Sequence, residues 1–180
     1  MTRLTVQTLE TAAPEAAERL QAAQKANGFI PNLLGVLANA PTALETYQVV
    51  GAINGRTSLS PAEREVIQIT AASRNGCDFC VAGHTKLSLK AFKLDEKLVA
   101  DLRAINPLDD SKLNALAQFT LALIDQRGKV SSEQLQEFLA AGYGEQQVLE
   151  AVLGVSLATL CNYANNVAQT LINPELQEFA

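Results

Sequence analysis

Each of the six prolines in this chain stands where a helix would begin or stop. Proline fixes φ and lacks an N–H, so it suits the first helical turn and disrupts a helix interior. Pro14 predicts a first helix running to about Asn27-Gly28, and Pro31 and Pro41 mark two further starts. Ser60-Pro61-Ala62-Glu63 is a fuller signal: Ser60 caps, Pro61 takes the first helical position and Glu63 closes a capping box. Pro107 interrupts the chain before Asp109 or Asp110 restarts it, and Pro174 follows the last helix. The segments between are rich in Ala, Leu, Gln and Glu, all good helix formers. None alternates as a strand would. The fold class is therefore all-α, a helical bundle.

The helix opened by Pro61 turns Val66, Ile67, Ile69 and Thr70 inward and ends at Asn75-Gly76. A second begins near Cys77 and runs to about Ala91, and a third begins near Asp95. Ser131-Ser132-Glu133-Gln134 repeats the capping box. The last helix is expected from near Gly144 to Leu171, burying Val148, Val152, Val155 and Leu160. No Gly/Ser linker or charge block divides residues 1–180, so they read as one domain.

The 180 residues suffice for a hydrophobic core. A net charge of −5 argues against nucleic acid as a partner. No run of 18 apolar residues is present to span a membrane, and the first residues lack the apolar segment of a secretory leader. The expected location is the cytoplasm. Three cysteines do not make a disulfide framework, and a close pair in that compartment is more often catalytic or metal-binding.

Two of those cysteines lie in Cys77-Asp78-Phe79-Cys80, followed by His84, the only histidine of the chain. At about 100° per residue, Cys77, Cys80 and His84 share an arc of roughly 60° on one helical face. Residues three apart on a helix lie about 5–6 Å apart, within disulfide range. His84 is four residues beyond Cys80 and is expected to serve that sulfur rather than Cys77. Cys77 stands at the expected helix N-terminus, where free N–H groups and the dipole favour a thiolate. If the flanking helices form an antiparallel hairpin about Asn75-Gly76, Glu65 comes level with His84 and orients the imidazole.

Other readings of the same residues are buried structural thiols, and zinc held by the cysteines with His84 and Glu65. A c-type haem site is excluded, because Val81-Ala82-Gly83 separates Cys80 from His84. A thioredoxin fold is disfavoured without βαβ patterning. Cys161, among Leu157, Leu160 and Ala164, reads as a small buried hydrophobe. Asn162, Asn165 and Asn166 read as caps or subunit bridges, Lys86, Lys90 and Lys93 as a solvated basic stripe, and Tyr47 has no evident partner.

The run Glu65-Val66-Ile67 … Cys77-Asp78-Phe79-Cys80-Val81-Ala82-Gly83-His84 resembles the core of the AhpD-like alkylhydroperoxidases, within the carboxymuconolactone decarboxylase family. The resemblance extends to Asn162-Tyr163-Ala164-Asn165-Asn166. It covers roughly residues 58–171 as the core, with 1–57 as a helical extension. It implies an AhpD-like bundle assembling as a homo-oligomer, a trimer or hexamer. It also implies reduction of alkyl hydroperoxides without a cofactor, with an external dithiol as reductant. In that scheme Cys80 is peroxidatic, Cys77 resolving, and Glu65 and His84 relay protons. One departure is Phe79, where some peroxidase members carry a second histidine. The competing functions are a non-enzymatic redox-sensing or zinc-binding module and a decarboxylase-type lactone enzyme.

Overall fold

The computed structural model describes residues 2–180. It comprises α1 (Pro14–Asn27), α2 (Asn32–Leu37), α3 (Pro41–Asn54), α4 (Pro61–Arg74), α5 (Asp78–Lys86), α6 (Glu96–Ala104), α7 (Ser111–Asp125), α8 (Ser132–Ala140) and α9 (Glu145–Ala168). A π-helical turn (Leu87–Ala91) prolongs α5, and a 3₁₀ helix (Pro174–Phe179) closes the chain. No strand occurs among the described residues. The caps lie where the local chemistry requires them. Ser60 and Ser131 each form a complete capping box, and Asp95 and Asp110 cap α6 and α7.

α4 is the hub and packs against α5, α6, α7 and α9. Its residues 65–72 are all buried, polar Glu65, Gln68 and Thr70 included. A helix enclosed on every side must satisfy its polar groups internally. Gln68 does so by donating to the Gly154 carbonyl of α9 at 3.0 Å.

Two apolar clusters flank this hub. One joins α6, α7, α8 and the outer half of α4 and contains the stacked rings of Phe119, Phe138 and Tyr143. The other joins α1, α2, α3, α5 and the 3₁₀ helix and includes Cys77, Cys80 and Cys161. The N-terminal extension is therefore part of the packing around the cysteines.

Within the extension, the residues ahead of α1 are fastened to Gly35 of α2. Gln7 N–H donates to the Gly35 carbonyl at 3.0 Å, and a Cβ on Gly35 would fall 2.8 Å from the Gln7 carbonyl oxygen. Only glycine admits that approach.

The inner face of α9 differs from the expected one. Val152 is 44% exposed, and Val148, Val155 and Leu160 are only half-buried. The buried positions are Ala151, Gly154, Leu157, Ala158, Cys161, Asn162, Asn165 and Ala168. α9 is apolar around much of its circumference, so its period does not single out one face. The small residues decide, because they let α4 and α9 approach closely. The helix ends at Ala168, with Gln169 left-handed at φ 51°, before the expected Leu171. Its length and composition would suit a membrane span, but here its inner face is spent on α2, α3, α4 and α7.

Candidate active site

α4 and α5 form the hairpin that carries the site. Asn75 closes α4, and Gly76 turns the chain at φ +62°, a conformation that favours glycine. Cys77 N–H then donates to the Ala72 carbonyl at 2.9 Å, which fixes the entry to α5. Cys77 is the N-cap of α5: its sulfur accepts the Cys80 N–H at 3.4 Å, the part usually taken by a Ser or Asp oxygen. Both cysteines are free and buried.

Across the hairpin, His84 Nδ1 lies 2.9 Å from Glu65 Oε2. A carboxylate only accepts, so Nδ1 carries the proton and Nε2 is the working nitrogen. The Ser88 hydroxyl donates to the same Glu65 oxygen at 3.3 Å. Glu65 is 4% exposed, whereas His84 keeps 30% of its side-chain surface open. Burial alone would lower the imidazole pKa; the charge and hydrogen bond of Glu65, aided by an ionised Cys77, outweigh it and raise the pKa. The helix-face reading tied His84 to Cys80; here its proton affinity also responds to Cys77.

The two thiols divide one charge. Cys77 is lowered to about 7, chiefly because the Cys80 S–H donates to its sulfur. Burial opposes this, and the Cys80 N–H, Asn165 and Asn162 support it. Cys80 is pushed far up by the same hydrogen bond and by burial. The reduced pair thus releases its first proton about pH 7 and holds the second tightly. Alkylation by iodoacetamide should follow one ionisation with a midpoint near 7. A midpoint at the ordinary thiol value of about 8.5 would contradict this charge distribution.

Two residues that the sequence reading set aside join the site. Asn165 Nδ2 donates to Cys80 Sγ at 3.2 Å, and its Oδ1 is buried with no partner among the described residues. Asn162 Oδ1 accepts from Asn75 Nδ2 at 3.0 Å, while Asn166 donates to the Asn75 carbonyl at 2.8 Å. The asparagines of α9 therefore brace the α4–α5 turn within one chain. Three amides on an apolar helix, spaced i, i+3 and i+4, were the available signal.

A pocket of about 440 Å³ opens onto this centre. Cys80, Phe79, Cys161 and His84 line it, with Phe29 from the loop before α2, Leu33 and Leu34 from α2, and Tyr47 from α3. Cys77 does not line it. Tyr47 has no hydrogen-bond partner among the described residues; burial above all, with the Glu65 carboxylate adding to it, pushes its pKa upward, so it stays a proton donor. Burial also lifts the Cys161 thiol to about 12, so it remains protonated beside the reactive pair. No three of the His, Cys, Asp and Glu side chains converge as a metal-holding group among the described residues.

The geometry is that of an all-helical bundle with a Cys-x-x-Cys cap and a Glu–His pair across the α4–α5 hairpin. The solved structures agree on the fold. A peroxidase-related AhpD core protein from Ralstonia eutropha JMP134 superposes with a TM-score of 0.85 at 19% identity, covering 97% of this chain and 94% of that one. A peroxidase-related protein from Silicibacter sp. TM1040 gives 0.80 at 19% identity, over 97% and 94%. The debrominase Bmp8, as a C82A variant with 2,3,4-tribromopyrrole, gives 0.80 at 16% identity, over 99% and 96%. Residues 41–121 match the carboxymuconolactone decarboxylase family. That match begins at α3, inside the segment read as an extension. No curated protein matches the sequence.

Proposed function

We propose that this protein is a thiol-dependent peroxidase that reduces organic hydroperoxides through Cys77 and Cys80. The observation that carries the reading is the pocket: it reaches Cys80 beside His84 and leaves Cys77 behind Cys80. Cys80 passes its proton along the S–H···S⁻ hydrogen bond to Cys77 and attacks the terminal peroxide oxygen. The S–O bond forms as the O–O bond breaks, and the departing alkoxide takes a proton from the His84 imidazolium. Cys77 then attacks the Cys80 sulfenic acid. The S–S bond forms, the S–O bond breaks, and the hydroxide leaves as water with the Cys77 proton. Two electrons pass from the thiols to the peroxide. An external dithiol restores the pair by exchange.

The test is peroxide consumption with dithiothreitol as reductant, monitored together with thiol titration. Loss of two thiols per equivalent of cumene hydroperoxide, reversed by dithiothreitol, is expected. Peroxide loss with all thiols retained would overturn the reading. Removal of bromide from a bromopyrrole, as the name of the debrominase neighbour suggests, is the second assay, because the pocket is apolar enough to admit such a ring.

The working form is proposed to be a homo-oligomer in the cytoplasm. Leu149, Val152, Tyr163 and Val167 run along the outer face of α9 and are 71%, 44%, 58% and 62% exposed. Val49 and Ile53 of α3 add 47% and 40%. An apolar stripe of this length is costly to leave in water. Light scattering should give a trimer or hexamer, and Val167→Glu should shift it to a smaller species. A monomeric parent protein would refute the assembly.

A further inference from the structure

Lys86 and Lys90 stand at the outer end of the pocket, one turn apart where α5 passes into the π-helical turn. The sequence reading placed them on a solvated stripe with Lys93, yet Lys86 and Lys90 line the pocket and Lys93 does not. Both ammonium groups are held over aromatic rings. Lys86 Nζ is 5.3 Å from the centroid of Phe29 and donates to the Glu175 carbonyl at 3.2 Å; Lys90 Nζ is 5.4 Å from the centroid of Phe179.

Neither lysine has a carboxylate partner among the described residues, although the chain has 19 acids against 14 bases. Two unpaired cations at one mouth of an acidic protein create a local field for an anion. The wall between them and Cys80 is apolar, formed by Phe29, Leu33, Leu34, Phe79, Leu87 and Leu176. At about 1.5 Å per residue, Lys86 and Lys90 lie roughly 9 and 15 Å along the helix from Cys80.

We propose that the pocket selects hydroperoxides with an apolar body and an anionic terminus, of the hydroperoxy fatty acid class. The peroxide meets Cys80, the hydrocarbon fills the wall, and the carboxylate rests between Lys86 and Lys90. This assignment rests on the peroxidase reading above, and the experiment separates the two.

The hydroperoxide of linoleic acid and its methyl ester differ only at the terminus. The parent protein should show a KM about tenfold lower for the acid than for the ester. In Lys86→Gln/Lys90→Gln the two KM values should converge, while Lys93→Asn, which removes one positive charge away from the pocket, should keep the difference. Calorimetry with the hydroxy acid product and its methyl ester reads the same preference without turnover. If cumene hydroperoxide is not consumed, the peroxidase reading fails, and the calorimetric preference still decides the ligand class. Equal binding of acid and ester, or a preference that survives the double substitution, would overturn the proposal.

Discussion

Cys80→Ser is expected to lower dithiothreitol-driven consumption of hydroperoxide by about a thousandfold or more, since a serine hydroxyl is not ionised near neutrality and cannot replace the attacking sulfur. Cys77→Ser should fail differently. Its Cys80 still meets the peroxide but has no neighbour to resolve it. Without dithiothreitol, one equivalent should be consumed, more slowly because the Cys77 thiolate that takes the Cys80 proton is gone, leaving a sulfenic acid on Cys80 that dimedone traps. Mass spectrometry of that adduct distinguishes the roles, because the resting charge sits on Cys77 while the pocket reaches Cys80 and not Cys77. Full turnover by Cys80→Ser, or an adduct on Cys77 in the parent protein, would reverse the assignment.

Glu65→Gln should have the second largest effect, about a hundredfold in kcat/KM above neutral pH. The substitution keeps the shape and removes the charge that raises the His84 pKa. Burial then dominates and the pKa falls, so the imidazolium is lost earlier as pH rises. The alkaline limb of the rate profile should move to lower pH, which a purely structural role for Glu65 would not produce.

Stability carries the same signature. A histidine whose folded pKa is raised contributes stability that is fully present below its unfolded value of about 6.5 and is lost as pH rises through the folded value. The difference in unfolding free energy between parent and Glu65→Gln should therefore be largest in mild acid and shrink toward alkaline pH. Glu65→Ala, which also leaves His84 and Ser88 without their acceptor, should cost about 2–4 kcal/mol in urea titrations below neutrality. A loss independent of pH would separate Glu65 from the titration of His84.

Much of the helical punctuation was readable, because proline geometry and capping act within four residues. Ser60, Asp95, Asp110 and Ser131 cap the helices that local chemistry assigns to them. The level placement of Glu65 and His84 followed from a hairpin and a constant rise per residue. Three features were not readable, each for a long-range reason. The inward face of α9 was misjudged because the apolar pattern is nearly continuous and close approach to α4 favours Gly154 and Ala158 over Val152. Asn165 reads locally as a cap or subunit bridge because its partner, Cys80, is 85 residues away. The basic stripe divided because the turn after α5 lengthens into a π-helical one, and no local residue type signals that change.

The cysteine pair and the walls of the pocket beside it come from different stretches of the chain. The thiols, the imidazole and their carboxylate lie on α4 and α5, braced by asparagines of α9. Phe29, Leu33, Leu34 and Tyr47 come from α2, α3 and the loop before α2, held in place by the Gln7–Gly35 contact. Such a division of labour leaves room for evolutionary tinkering: the lining can be re-cut for a new guest while the cysteines, the imidazole and the carboxylate stay untouched. Chains with this architecture can then diverge in what they accept while keeping one arrangement of thiols and imidazole.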